Sequence, residues 1–277
     1  MKTKVLITVK TYPTLSKTYD ETVCTAGLRE NGTWIRIYPV PFRKLDYAKR
    51  YKKYDWFEID LIKNKNDFRP ESFRPVSLES DFYKVGELDT KNGWAARKAF
   101  VLQNVYTNLT TLVEDAKSEK KVSLAVFKPK KILDFVIEET ERDWDPKKIA
   151  FLNAKARQFD LFNNICETFK VVAKVPYKFS YRFYDDQDRE SKMMIEDWEI
   201  GELYWKCLEI CGNDEKLACE KVKEKYYTEF TQKKDLYFYL GTTKQHHNRA
   251  KQPFIIIGIF YPPKESPIKS QQLKLPL

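Results

Sequence analysis

ETVCTAGLRENGTWIRIYPV, residues 21–40, reads as a β-hairpin. Its turn is Glu30-Asn31-Gly32-Thr33, where Asn-Gly supplies the positive φ that a two-residue hairpin loop requires. In the second strand the side chains alternate. Ile35 and Ile37 therefore face a core, and Trp34, Arg36 and Tyr38 share the opposite face. KVLITV (4–9) upstream is a short apolar strand, and WFEIDLI (56–62) downstream is another. Between hairpin and second strand, PFRKLDYAKRYKKYDW (41–56) has Pro41 to start a helix and helix-compatible residues behind it. Strand, hairpin, helix and strand predict an α+β protein whose N-terminal part is a small β-barrel, OB-like or PUA-like.

A mixed helix and strand part is expected to follow. Residues 94–119 predict one helix, and LAVFKPKKILDFVIEE (124–139) a strand, a turn and a strand. DPKKIAFLNAKARQFDLF (145–162) is a helix with Asp145 as N-cap and Pro146 as its first residue. Residues 177–185 alternate as a strand, and 195–211 and 215–230 have helical periodicity and propensity. Two strands, 235–242 and 253–263, flank a basic loop. The domain expectation is a β-rich nucleic-acid-binding unit over 1–150, an α+β unit over 151–262 and a flexible tail over 263–277.

Composition narrows the function classes. Eight glycines and no G-x-G-x-x-G or G-x-x-x-x-G-K-[ST] string argue against a phosphate-cradling loop. The apolar run after the first lysines is too short for a signal peptide, and nothing is long and apolar enough to span a membrane. A soluble, cytoplasmic protein is expected. The odd set Cys24, Cys166, Cys207, Cys211 and Cys219 reads as reduced thiols; without C-x-x-C spacing it predicts neither metal nor cofactor. The net charge of +10, from 50 basic and 40 acidic residues, favours an anionic partner, nucleic acid first.

That charge is concentrated between Arg36 and Lys53, where Arg36, Arg43, Lys44, Lys49, Arg50, Lys52 and Lys53 face the single acid Asp46. Tyr38, Phe42, Tyr47 and Tyr51 are interleaved. Cations track phosphates and aromatic faces stack on unpaired bases, so Trp34, Arg36, Tyr38, Arg43, Lys44, Arg50 and Lys53 are candidate nucleic-acid contacts. Arg249 joins them from the basic loop, which also holds the only two histidines, His246 and His247. Adjacent strand residues point apart, so the pair does not suit one metal; phosphate contact or acid–base chemistry is the expectation. Asp197 and Glu199 stand in a carboxylate cluster that caps a helix or serves catalysis. Asp197, Glu199 and His247 are the catalytic candidates.

The last six residues, QLKLPL (272–277), resemble the hexapeptide Q-L-x-L-x-L by which bacterial polymerases and repair proteins bind the DNA sliding clamp. Gln272, Leu273, Leu275 and Leu277 occupy its specified positions, and Pro262, Pro263 and Pro267 set the peptide away from the body. The resemblance covers six residues and implies a sliding clamp as partner. Together with the basic, aromatic-rich body it predicts a DNA-binding protein recruited to the replication clamp in repair, replication or defence against foreign DNA. Single-stranded or modified DNA is within that expectation. Two alternatives stay open: a base-excising glycosylase or nuclease acting on modified phage DNA, and an RNA-binding module whose tail matches by accident.

Overall fold

The computed structural model describes residues 2–16, 20–45, 50–77, 80–163 and 171–265. Cys166 and the clamp-like hexapeptide lie outside the described residues.

Strands β1 (Lys2–Lys10), β2 (Thr14–Ser16), β3 (Asp20–Arg29), β4 (Trp34–Val40), β5 (Asp55–Lys63), β6 (Ser72–Pro75) and β7 (Tyr83–Glu87) form one sheet. Five of them run β1-β3-β4-β6-β5, and β5 pairs back onto β1, closing a barrel. The β4–β6 contact is parallel and the others antiparallel. Closure leaves no free edge within the ring, and period-two alternation sends Val5, Ile7, Ile35, Ile37, Phe57 and Ile59 inward. The two isoleucines of the hairpin thus face the core as expected. The turn differs from the two-residue expectation. The Gly32 amide donates to the Arg29 carbonyl and only Gly32 has positive φ (76°), so the loop is a β-turn closed by a glycine bulge.

The intervening residues also differ from expectation. Among the described residues a single 3-10 turn, Phe42–Lys44, stands where a helix is predicted after Pro41; residues 46–49 lie outside them. Phe42, Leu45 and Tyr51 are drawn into the barrel core, a spacing a straight helix could not bury on one side. The helix predicted over 94–119 is two: α1 (Lys91–Val101) and α2 (Leu109–Lys117). Between them β8 (Val105–Tyr106) pairs with β9 (Leu124–Phe127), and the Asn108 side chain accepts from the Thr110 and Thr111 amides to start α2.

The rest of the chain supplies β10 (Lys131–Glu139), α3 (Pro146–Asn163), β11 (Tyr177–Tyr184), β12 (Glu190–Met194), α4 (Trp198–Ile210), α5 (Glu215–Lys223), a π-turn (Glu224–Glu229), α6 (Phe230–Lys233), β13 (Tyr237–Thr242) and β14 (Phe254–Phe260). Two sheets result, β10-β11-β12 and β14-β13-β9-β8. Strands β9 and β10, consecutive across the expected turn, lie in different sheets. The four-stranded sheet covers the outside of the barrel. Leu6, Val9, Leu28 and Trp56 on the barrel's outer face pack with Val126, Tyr239, Ile257 and Phe260 in one buried cluster. Val5, Leu6, Ile7 and Val9 are therefore all apolar because both faces of the strand are buried.

Candidate functional site

That covered face decides where the expected nucleic-acid residues go. Arg36 is 4% exposed; its guanidinium donates to the Ser123 carbonyl at 3.0 Å and the Ser123 hydroxyl at 3.2 Å. Trp34 packs edge-on against Tyr239 at 6.0 Å, and Tyr38 accepts a hydrogen bond from Thr22. Trp34 and Arg36 are thus taken up in a packed seam between barrel and sheet, so the expected face of Trp34, Arg36 and Tyr38 is not an open stacking platform. Arg43 is bound to the buried Glu21 at 2.7 Å. Arg50 donates to the Leu45 and Arg43 carbonyls. Lys44 ends the 3-10 turn. Arg249 is exposed in the basic loop.

His247 is fully buried, contrary to its expected phosphate or catalytic role. Nδ1 pairs with the Thr242 hydroxyl at 2.8 Å and Nε2 with the Ala116 carbonyl at 3.0 Å, and burial holds its pKa below the ordinary value. Both ring nitrogens are committed to protein atoms, so the imidazole ties the loop to α2.

A different set converges. A cleft of about 350 Å³ opens where Lys10, at the end of β1, meets Lys53 and Tyr54, the start of α1, the start of α4 and the end of β14. Trp94, Arg97, Trp198, Glu199 and Tyr261 also line it. Two groups of rings frame it: Tyr54, Trp94 and Tyr261, with Trp94 5.3 Å from Tyr261, and Phe42 with Trp198, 5.2 Å apart. A cation lies over each group. Lys10 Nζ is 3.8 Å from the Phe42 ring centre and 4.3 Å from that of Trp198; the Arg97 guanidinium is 4.1 Å from Tyr54 and 4.9 Å from Trp94. The backbone is strained here as well. Tyr54 has φ 69°, and Asn92, Gly93 and Trp94 form a left-handed turn with φ of 50°, 63° and 66° before α1 proceeds. Such conformations cost about 1–3 kcal/mol each in non-glycine residues and collect at ligand sites.

The floor of the cleft is an ion-pair network. Lys53 Nζ meets both Asp197 oxygens at 3.0 and 2.9 Å and Glu199 at 3.0 Å. Asp197 is fully buried and also accepts from the Glu199 amide, capping α4. Burial alone would lower the Lys53 pKa, but the Asp197 and Glu199 carboxylates outweigh it and hold the ammonium above its ordinary value. Burial pushes the Asp197 carboxyl upward, with Lys53 opposing. Asp197 and Glu199 are therefore brought together at this cleft, as their spacing suggested; His247 stands elsewhere. Lys10 is the titratable cation. Burial first, then the neighbouring Lys53, lower it from the ordinary lysine value to about 8.

That value sets an expected pH dependence. Below pH 8 Lys10 carries its charge; as pH rises through about 8 the cleft loses one cation. Affinity for a polyanion should fall across this range, and Lys10→Arg, charged throughout, should flatten the profile. Titration of oligonucleotide binding from pH 6.5 to 9.5 (roughly the span around the lysine midpoint) checks it.

Residues 105–277 match the model of a family described as a domain of unknown function, DUF8757, and residues 1–103 match that of a second, DUF8758. The chain belongs to the DUF8757 family. No curated protein matches it. The cleft draws on both matched segments: Lys10, Lys53, Tyr54, Trp94 and Arg97 come from the first, and Trp198, Glu199 and Tyr261 from the second. Among the described residues, no group of three or more His, Cys, Asp or Glu side chains could hold a metal ion, and no helix is long and apolar enough to cross a membrane.

Proposed function

We propose that this protein binds DNA and that the cleft between its two matched segments receives one unpaired nucleotide. The observation that carries this reading is the cleft's composition: aromatic rings interleaved with Lys10, Lys52 and Arg97 in a volume of about 350 Å³. Cations bind phosphate and rings stack on bases, and a space at the lower end of the ligand-pocket range admits a nucleotide and excludes a duplex. Single-stranded DNA should therefore bind more tightly than duplex of the same length. Comparable affinities, insensitive to the cleft's rings, would remove the cleft from the account.

The tail supports recruitment to a bacterial sliding clamp, where Gln272, Leu273, Leu275 and Leu277 are the anchors. Gln272→Ala combined with Leu273→Ala should abolish clamp binding, read by fluorescence anisotropy of the labelled C-terminal peptide and by pull-down of the full chain. The melting temperature and DNA affinity should stay unchanged. A drop of several degrees would show leucines packed on the parent domain instead, about 2–4 °C accompanying each kcal/mol in a chain of this size.

A second reading, base excision, is favoured by one arrangement: two carboxylates, Asp197 buried and Glu199 43% exposed, joined through Lys53 at the cleft. Glycosidic cleavage uses a carboxyl group as acid or base beside the scissile bond. Release of free base from modified single-stranded DNA, lost in Glu199→Gln, is the result that would establish it.

A further inference from the structure

A second pocket of about 240 Å³ lies on the other side of the segment leading into α4. Tyr12, Trp144, Tyr177 and Phe179 supply its rings, and Glu196 and the Lys53-paired Asp197 its acids. The Tyr12 ring is seated against α4 where Gly201 lacks a side chain: a Cβ there would lie 2.3 Å from it. Its hydroxyl accepts from the Trp205 indole at 2.8 Å and donates to the Ala173 carbonyl at 2.9 Å. The Trp144 indole donates to the Val172 carbonyl at 2.7 Å, and the Tyr177 hydroxyl to Glu215 at 2.7 Å. These polar atoms fix the walls and leave the rings to face a ligand.

The Glu196 carboxylate is the exception. Its backbone amide donates to the Ile256 carbonyl, but its side chain has no hydrogen-bond or ion-pair partner among the described residues. Burial raises its pKa. Of the lysines at this pocket, Lys174 is neutralised by Glu141 at 2.9 Å; Lys178 is exposed to water, and Glu138, opposite it on the neighbouring strand, pairs with Lys192 at 2.8 Å. A half-buried carboxylate beside aromatic rings is complemented by a cation that can also lie against ring faces.

We infer that this pocket binds a small organic amine, its ammonium paired with Glu196 and its apolar body held among Tyr12, Trp144 and Tyr177. The pocket volume suits a molecule of about ten heavy atoms and is too small for a peptide segment. Asp197 lies between this pocket and the DNA cleft, but Glu196 and the rings named here line only this pocket, so either reading can fail without the other.

Phenethylammonium is the test probe, with phenethyl alcohol as its neutral isostere. The chain has three methionines, and Met194 lines the pocket while Met193 lies in the core. In methionine-methyl NMR of the full chain, phenethylammonium should shift Met194 saturably, with Kd on the order of millimolar, and leave Met193 in place. The alcohol should bind more weakly by at least roughly tenfold, and Glu196→Gln should reduce the amine's affinity to that of the alcohol. Equal binding of amine and alcohol, an unmoved Met194 up to the solubility of the amine, or full affinity in Glu196→Gln would each overturn the proposal. Should Glu196→Gln fail to fold, the amine–alcohol comparison on the wild-type protein decides it.

Discussion

Replacing Lys53 by Met should lower folding stability by about 3–5 kcal/mol, among the largest single-residue effects in this protein. The loss comes less from the ion pair than from what remains behind. Asp197 is fully buried, and with Lys53 gone its charge has no counter-ion; Glu199, 43% exposed, can turn to water. Two further results should accompany it. The carboxyl of Asp197 in the variant is raised beyond its unfolded value, so the folded state takes up a proton the unfolded chain does not. The destabilisation should then be largest well above that raised pKa and shrink as pH falls toward the ordinary carboxylate range. Adding Asp197→Asn, which keeps the cap on α4, should restore part of the lost stability, giving a strong coupling in the double-mutant cycle. Chemical denaturation of the four proteins at pH 5 and 8 (roughly either side of the shifted carboxyl) measures all of it. Additive losses would mean that the pair is not the buried unit described.

The second large effect concerns the rings. Trp198→Ala should weaken single-stranded DNA binding by about 1–3 kcal/mol, the range measured for loss of one base-stacking side chain. Trp198→Phe should keep most of the affinity. Neither change removes a cation, so the dependence of affinity on salt should keep its slope. Arg97→Ala should lower that slope by about one unit through a lost phosphate contact. Arg36→Ala, by contrast, should leave it untouched, since that guanidinium is spent on Ser123 inside the protein.

The contrast between Arg36 and Arg97 marks what the sequence could say. Local periodicity gave the barrel: an apolar strand, an Asn-Gly hairpin and the inward Ile35 and Ile37. It also placed Asp145 and Pro146 at the start of α3 and Asp197 near the start of α4. Alternation identifies two faces of a strand but not what covers each. The outer face of β4 holds Trp34 and Arg36, polar enough to read as solvent-facing, and a sheet from the C-terminal half packs over it. His247 departs from its expected role for the same reason: its loop is basic, yet its ring turns inward to Thr242 and Ala116. The cleft was illegible as a whole. Lys10, Lys53, Trp94, Trp198 and Tyr261 come from five separate segments, and only packing of the two halves assembles them. Lys53, Asp197 and Glu199 are each candidates from sequence, but nothing local says that a lysine of the barrel reaches a cap in the C-terminal half.

The central claim is that the cleft holds an unpaired base. An oligonucleotide carrying a single 2-aminopurine tests it directly, because stacking on aromatic side chains changes the emission of that base. With the probe in a single strand, or opposite a gap in a duplex, the wild-type protein should change its fluorescence saturably. Trp198→Ala should diminish the change at full DNA occupancy, and a fully paired probe should give little. An identical response from wild type and Trp198→Ala at saturation, or an equal response from the paired probe, would contradict the account.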